Sequence, residues 1–234
     1  MTPEGYEPLG GRAKWAQRAL VAAVLIDAVA VASGWFEYRL YQQDVITDDE
    51  LDASDLRQGI VALVQFAIFV WAVVAFIRWF HRAYRNLEPL GASLRFRKGW
   101  AIWGWFVPIW GLFRPKQIAN DIWRASDPAV AGHQGAYEER PVPAFFQFWW
   151  AAYVISNFAY NASLRLSFRA ETIEEYSGAA VATMIADNLS VIAGIFAILV
   201  VRRSTERQEE RARRRGAEEE GPAGSEPDPA PAIP

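Results

Sequence analysis

The chain has 234 residues, 52% of them hydrophobic and 14% aromatic, with a formal net charge of −3 and no cysteine. The lack of cysteine excludes disulfides, thiol nucleophiles and Cys-based metal sites. The charges are divided among loops and chain ends rather than gathered on one basic face, so nothing in them points to nucleic acid.

A mean hydropathy near zero averages very charged ends with four long apolar runs. They are Ala19–Phe36 with Asp27 as its one charge, the uncharged Gly59–Ile77 and Val142–Leu164, and Ser177–Val201 with Asp187 as its one charge. Each approaches the ~20 residues that cross roughly 30 Å of hydrocarbon at 1.5 Å per residue. The expected fold class is therefore all-α, a polytopic membrane helical bundle of four spans at about 18–38, 59–80, 142–166 and 177–201. Three lysines against 21 arginines, with much Ala, Gly and Pro, fit a GC-rich bacterial genome and a bacterial plasma membrane.

In chain order, residues 1–17 form a polar start in which Arg12 and Lys14, followed by Arg18, precede the first apolar run. A signal peptide begins the same way, and Ala30-Val31-Ala32 offers a cleavage site. The run is longer than a signal core and contains Asp27, which favours a retained span. The following loop, 38–57, is acidic and carries a capped helix start; its DDELDASD stretch lacks the glycine-turn spacing of a calcium loop.

The second span runs on into Arg78, Arg82 and Arg85, spaced i, i+4, i+7 on one helix face. Arg95, Arg97 and Lys98 follow. Next comes Gly99–Phe113, uncharged and crowded with Trp100, Trp103, Trp105, Phe106, Trp110 and Phe113. It is too short for a span and is broken by Pro108, which removes an amide donor. The connector 114–140 carries Arg114, Lys116, Arg124 and Arg140, the 165–176 loop is balanced, and seven arginines lie between 202 and 215.

Lys/Arg excess marks cytoplasmic loops. Four spans plus one segment that enters and leaves on the cytoplasmic face satisfy every loop, and both termini then lie in the cytoplasm. A fifth span would put the arginine-rich C-terminus outside. So 99–114 is expected to be re-entrant or interfacial, followed by a short surface helix over 115–126 with Pro115 at its first position and Ile118 and Ile122 inward. Arg203–Glu220 is expected as an exposed charged helix with Glu209/Arg213 and Glu210/Arg214 pairs, and Gly221–Pro234 as a disordered tail.

Depth counted along the spans brings Asp27, Gln65, Asn157, Asp187 and Asn188 into a central polar layer. Ionisable groups there are costly and mark function by default, although such groups also join helices. The Arg78/Arg82/Arg85 face, with Asn86, Trp105, Arg114, Lys116 and Trp123, is expected either to anchor the protein on anionic lipid or to form a headgroup or partner site.

His81 and His133 are the only histidines, and no HExxH motif, GxSxG elbow, P-loop or dinucleotide fingerprint is present. No catalytic residue, metal ligand or cofactor is assigned. An intramembrane aspartyl hydrolase would have only Asp27/Asp187 as its pair, without further support around them.

The ordered motifs Arg82-Ala83-Tyr84-Arg85-Asn86-Leu87, Gly99-Trp100-Ala101, Trp105-Phe106-Val107-Pro108, Arg114-Pro115 and Ile122-Trp123-Arg124-Ala125-Ser126 resemble the family known as domain of unknown function 4328. Its members are bacterial multi-span membrane proteins. The resemblance covers about 30–202 and departs at Gly111, where the family leads one to expect an asparagine-like residue. It implies a membrane protein and supplies no activity or site residues.

The function expected on these grounds is that of a non-enzymatic membrane protein whose cytoplasmic Arg/Trp surface binds anionic lipid headgroups or a partner. A homo-oligomer or membrane partner protein is compatible with this. The alternative is a small proton- or cation-coupled transporter or channel subunit using Asp27 and Asp187.

Overall fold

The protein is described from a computed structural model covering residues 2–129 and 140–220. His133, part of the 114–140 connector and the Pro-rich tail over 221–234 lie outside the described residues. Six α-helices follow in order: α1 Gly10–Tyr41, α2 Asp48–Arg85, the single turn α3 Trp100–Trp103, α4 Arg114–Ala125, α5 Ala144–Ser167 and α6 Ile173–Glu220. No strand occurs among the described residues.

Three helices, α1, α2 and α6, are long and apolar enough to cross a membrane. α5 is 24 residues long, but its tryptophans, tyrosines, asparagines and serines lower its hydropathy. α1, α2 and α6 begin and end beyond the expected spans. α1 starts at Gly10 within the supposed polar start, and α2 takes in the second half of the acidic loop, from Asp48. A capping box starts α2: the Thr47 hydroxyl accepts from the Glu50 amide, while the Glu50 carboxylate accepts from the Thr47 amide.

α1 lies between α2 and α6, and α6 lies between α1 and α5. Small residues allow α1 and α6 to approach closely. A Cβ on Gly34 would stand 2.7 Å from Met184 Cγ, and one on Gly194 would stand 2.6 Å from Val24 Cγ2. α2 and α5 flank this pair without packing along each other. Phe66, Phe69 and Leu63 on α2, and Phe158 and Ile155 on α5, face outward.

The large buried side chains gather at the end of the bundle where α2 stops. Trp79, Phe80 and Tyr84 of α2 pack with Ile118 and Ile122 of α4, Phe146 of α5 and Val200 and Val201 of α6. α4 coincides with the short helix expected over 115–126, with Pro115 in its first turn and both isoleucines buried.

The expected exposed helix over Arg203–Glu220 is corrected here. α6 continues through it, but one face is buried: Thr205, Gln208, Arg211 and Ala212 are nearly inaccessible. Gln208 donates to the Ala83 carbonyl and to Ser126 Oγ, both at 3.0 Å. Arg211 donates to the carbonyls of Leu90 and Ala125. The Trp79 indole donates to Thr205 Oγ1 at 2.9 Å. On the other face, Glu210 pairs with both Arg213 and Arg214.

Candidate functional site

Three neighbourhoods carry the polar and aromatic residues singled out by the sequence. In the first, Gln65 Nε2 donates both amide hydrogens, to Asp27 Oδ1 at 2.9 Å and to Asp187 Oδ1 at 3.0 Å. Ser190 donates to Asp27 Oδ2 at 2.7 Å, and the Tyr160 hydroxyl donates to Asp187. Three of the five expected layer residues therefore meet, on three different helices. Asn157 and Asn188 do not join them: each is exposed and donates to its own helix, at Tyr153 O and Met184 O. Equal depth fixes the level of a residue but not its direction around the helix. Tyr160 and Ser190 take the vacant places; Tyr160 shares a helix face with Tyr153 and Asn157.

In the second neighbourhood, the expected Arg/Trp surface separates into distinct contacts. Arg78 lies over the Trp15 ring at 5.9 Å. Arg82 pairs with Glu7 at 2.5 Å, and Asn86 is buried, donating to the Glu7 carbonyl at 2.7 Å. Arg85 is exposed. Trp123 packs against Phe146 and under Arg207, whose guanidinium stands 4.5 Å from its ring. Arg114 and Lys116, two residues apart and so about 200° apart around α4, leave on opposite sides. They do not share one pocket.

Lys116 Nζ reaches Asn120 Oδ1 at 2.6 Å and stands 5.6 Å from the Phe146 ring. Burial, and secondarily the Arg124 charge, push its ammonium down to about 8. Arg114 meets a more complete setting. Its guanidinium lies 4.1 Å from the Phe96 ring, 4.7 Å from Trp110 and 5.4 Å from Trp100. It donates to Gln117, and its buried Nε has no acceptor among the described residues. Among these residues it has no carboxylate partner either. Electron-rich ring faces hold a guanidinium flat without neutralising it.

The third neighbourhood is the Trp-rich stretch itself. After α3 the chain turns, and the Trp110 amide donates to the Pro108 carbonyl at 2.7 Å. This is a γ-turn centred on Ile109, whose φ of 66° is rare for a β-branched residue. A 3₁₀ turn, Trp110–Leu112, leads back into α4. Because Arg114 covers both Trp100 and Trp110, the two limbs of the segment start and finish side by side. Between them Trp105 reaches inward, touching Phe76 and Phe80 of α2 and Trp149, Trp150 and Tyr153 of α5. It closes the seam that α2 and α5 leave open. A groove of about 270 Å³ lies between this segment and α5, lined by Trp105, Val107, Leu112, Val154, Asn157 and Asn161, among others.

A protein family described as "Domain of unknown function (DUF4328)" matches this sequence over residues 42–206. No curated protein and no solved structure matches the chain.

Proposed function

The chain belongs to the DUF4328 family, and we propose that it is a four-span protein of the plasma membrane that engages anionic headgroups at its cytoplasmic border through Arg114. In this reading α5 is the fourth span, the Trp-rich segment is re-entrant, and both termini are cytoplasmic. Its role is to bind rather than to catalyse.

The four-span reading draws support from the pairing of α5 with α6 over their apolar lengths and from the outward apolar residues on α2 and α5. The Lys/Arg-bearing termini and loops then share one side, as the distribution of Lys and Arg requires. The re-entrant reading draws support from the side-by-side limbs. It also meets the rule that irregular backbone at membrane depth must be covered by protein or line a cavity.

Arg114 in its aromatic clamp is the observation that carries the headgroup reading. Tyr84, whose hydroxyl bonds the backbone of Phe96 beside Arg114, lies roughly 22 Å along α2 from the middle of its span. That is headgroup depth. A phosphate there meets a guanidinium pre-oriented by three rings, its charge not neutralised by any carboxylate among the described residues.

The test is lipid enrichment. The protein is assembled into nanodiscs of mixed phosphatidylglycerol and phosphatidylcholine, and its retained lipids are counted by native mass spectrometry. Wild type is expected to retain phosphatidylglycerol selectively, Arg114→Gln to lose most of that preference, and Arg114→Lys to restore it poorly because a point charge cannot bind in bidentate fashion. Unchanged selectivity in Arg114→Gln would defeat the proposal.

A further inference from the structure

Phe96 carries two cations. Its ring lies 4.1 Å from the Arg114 guanidinium and 5.2 Å from that of Arg95. The two charges are therefore within about 9 Å of each other, close to the screening length at physiological salt. The Phe96 backbone is pinned. Its amide donates to the Tyr84 hydroxyl at 2.9 Å, and that hydroxyl donates to the Phe96 carbonyl at 3.1 Å. Tyr84 itself is fully buried.

Neither charge is answered by a carboxylate. Among the described residues Arg95 and Arg114 form no ion pair, and Glu88, the acid nearest to Arg95 in sequence, is held by Lys98 at 2.5 Å. A ring face orients a guanidinium without cancelling its charge. Two like charges on one ring repel, and an anion with two negative charges relieves both. Arg95 is exposed and Arg114 half-buried, so such an anion can approach from the headgroup side.

Resting on the headgroup reading of Arg114, we propose that this site takes a lipid with two phosphates joined through one glycerol, the cardiolipin headgroup. One phosphate sits on Arg114 and the other on Arg95. Phosphatidylglycerol fills the first place and leaves Arg95 without a counter-charge. A second phosphate tethered to the first arrives at high effective concentration, and a three-carbon bridge keeps it within reach of a guanidinium on the same ring. Arg95 is then the residue that chooses between one phosphate and two. Arg97, two positions on, is also exposed but stacks on no ring among the described residues. It separates this site from a diffuse basic surface.

The full chain is assembled into nanodiscs of phosphatidylcholine with phosphatidylglycerol, cardiolipin and phosphatidate at equal phosphate, and retained lipids are counted by native mass spectrometry. Wild type is expected to retain cardiolipin about five-fold over phosphatidylglycerol per phosphate, the effect of one added basic contact at an anionic surface. Arg95→Gln should bring that ratio near one, while the preference for phosphatidylglycerol over phosphatidylcholine, which reports on Arg114, persists. Arg97→Gln should leave both preferences unchanged. A ratio near one in wild type, an equal fall in Arg97→Gln, or phosphatidate retained as well as cardiolipin would overturn the proposal, the last because one phosphate would then suffice. Those outcomes leave the Arg114 reading standing. Phosphatidylglycerol held no better than phosphatidylcholine by wild type would overturn both.

Discussion

Gln208, on the far end of α6, donates its side-chain amide to the backbone carbonyl of Ala83 near the end of α2, 3.0 Å away. The same nitrogen also serves Ser126, and no part of Gln208 is accessible. One glutamine thus joins two long helices and the stretch that leaves α4.

Replacing Gln208 with leucine keeps the volume and removes three hydrogen bonds, the two it donates and the one its Oε1 accepts from Asn86 at 3.4 Å. The Ala83 carbonyl and the Ser126 hydroxyl then lose their donor in a dry place. We expect a loss of about 2–3 kcal/mol, read as a lower midpoint in thermal unfolding of the detergent-solubilised protein. Arg202→Ala, which removes an exposed ion pair with Glu206, should move the midpoint very little. If the two variants unfold alike, the buried role assigned to α6 beyond Val201 is wrong.

The Asp27–Gln65–Asp187 bridge makes a second prediction. Gln65→Leu removes the amide shared by two carboxyl groups and should destabilise the bundle by about 1–3 kcal/mol. Combining it with Asp187→Asn returns a donor beside Asp27 and should recover part of the loss. A double-mutant cycle on resistance to denaturing detergent measures the coupling; strict additivity would show that the bridge does not act as a unit.

Two glycines of α6 should respond in opposite senses. Gly194→Leu drives a side chain into Val24, whose Cγ2 already stands 2.6 Å from where a Cβ would go. Forcing α1 and α6 apart should cost about 1–3 kcal/mol. At Gly178 a Cβ meets nothing within 4 Å, so Gly178→Ala should stabilise by about 0.5–1 kcal/mol through helix propensity and the unfolded chain. Thermal midpoints check both.

Lys116 should be the most nucleophilic of the three lysines near neutrality. Its ammonium is held down to about 8, first by burial and then by Arg124. Acylation by a water-soluble amine reagent should rise with pH and level off a little above 8. Arg124→Gln removes the second cause and should move the inflection upward. The sign for stability follows: between about 8 and the ordinary value of 10.5, the unfolded chain binds more protons than the folded one. Stability gains from Lys116 as pH rises through that window and not below it. A Lys116 profile with its inflection at 10 or higher would contradict the burial.

The cysteine-free chain suits a labelling scan of topology. Single cysteines at Gly99 and Phe113 are both expected to react with impermeant maleimide from the cytoplasmic side, because Arg114 holds the two limbs together over Trp100 and Trp110. Reaction of position 113 from outside alone would make this segment a crossing one.

Much of this was legible in the sequence where apolar period and caps decide. The Thr47/Glu50 box, Pro115 with Ile118 and Ile122, and the meeting of Asp27, Gln65 and Asp187 all follow from spacing. What escaped was direction around a helix and burial by polar residues. Asn157 and Asn188 sit at the right depth but turn outward, satisfied by their own backbones. Thr205, Gln208, Arg211 and Ala212 recur every one to three positions on one face, yet a stripe of polar side chains carries no hydrophobic signal. Their partners are backbone carbonyls at the ends of other elements, which no local pattern displays. The Arg114 clamp assembles rings at positions 96, 100 and 110, and only the reversal at Ile109 brings the last of them back.

α6 runs for 48 residues without a proline. At one end Ser177 accepts from Gln42, in the turn between α1 and α2; some 46 Å further on, Gln208 grips α2 and Ser126. Long helices bend sharply only at identifiable breaks. No proline joint is therefore present in α6 to absorb movement. A tilt imposed by whatever meets the loop beside Tyr176 is delivered to the cluster around Trp79 and Trp123, and a shift there returns by the same route. The two ends of the bundle are mechanically coupled along this helix.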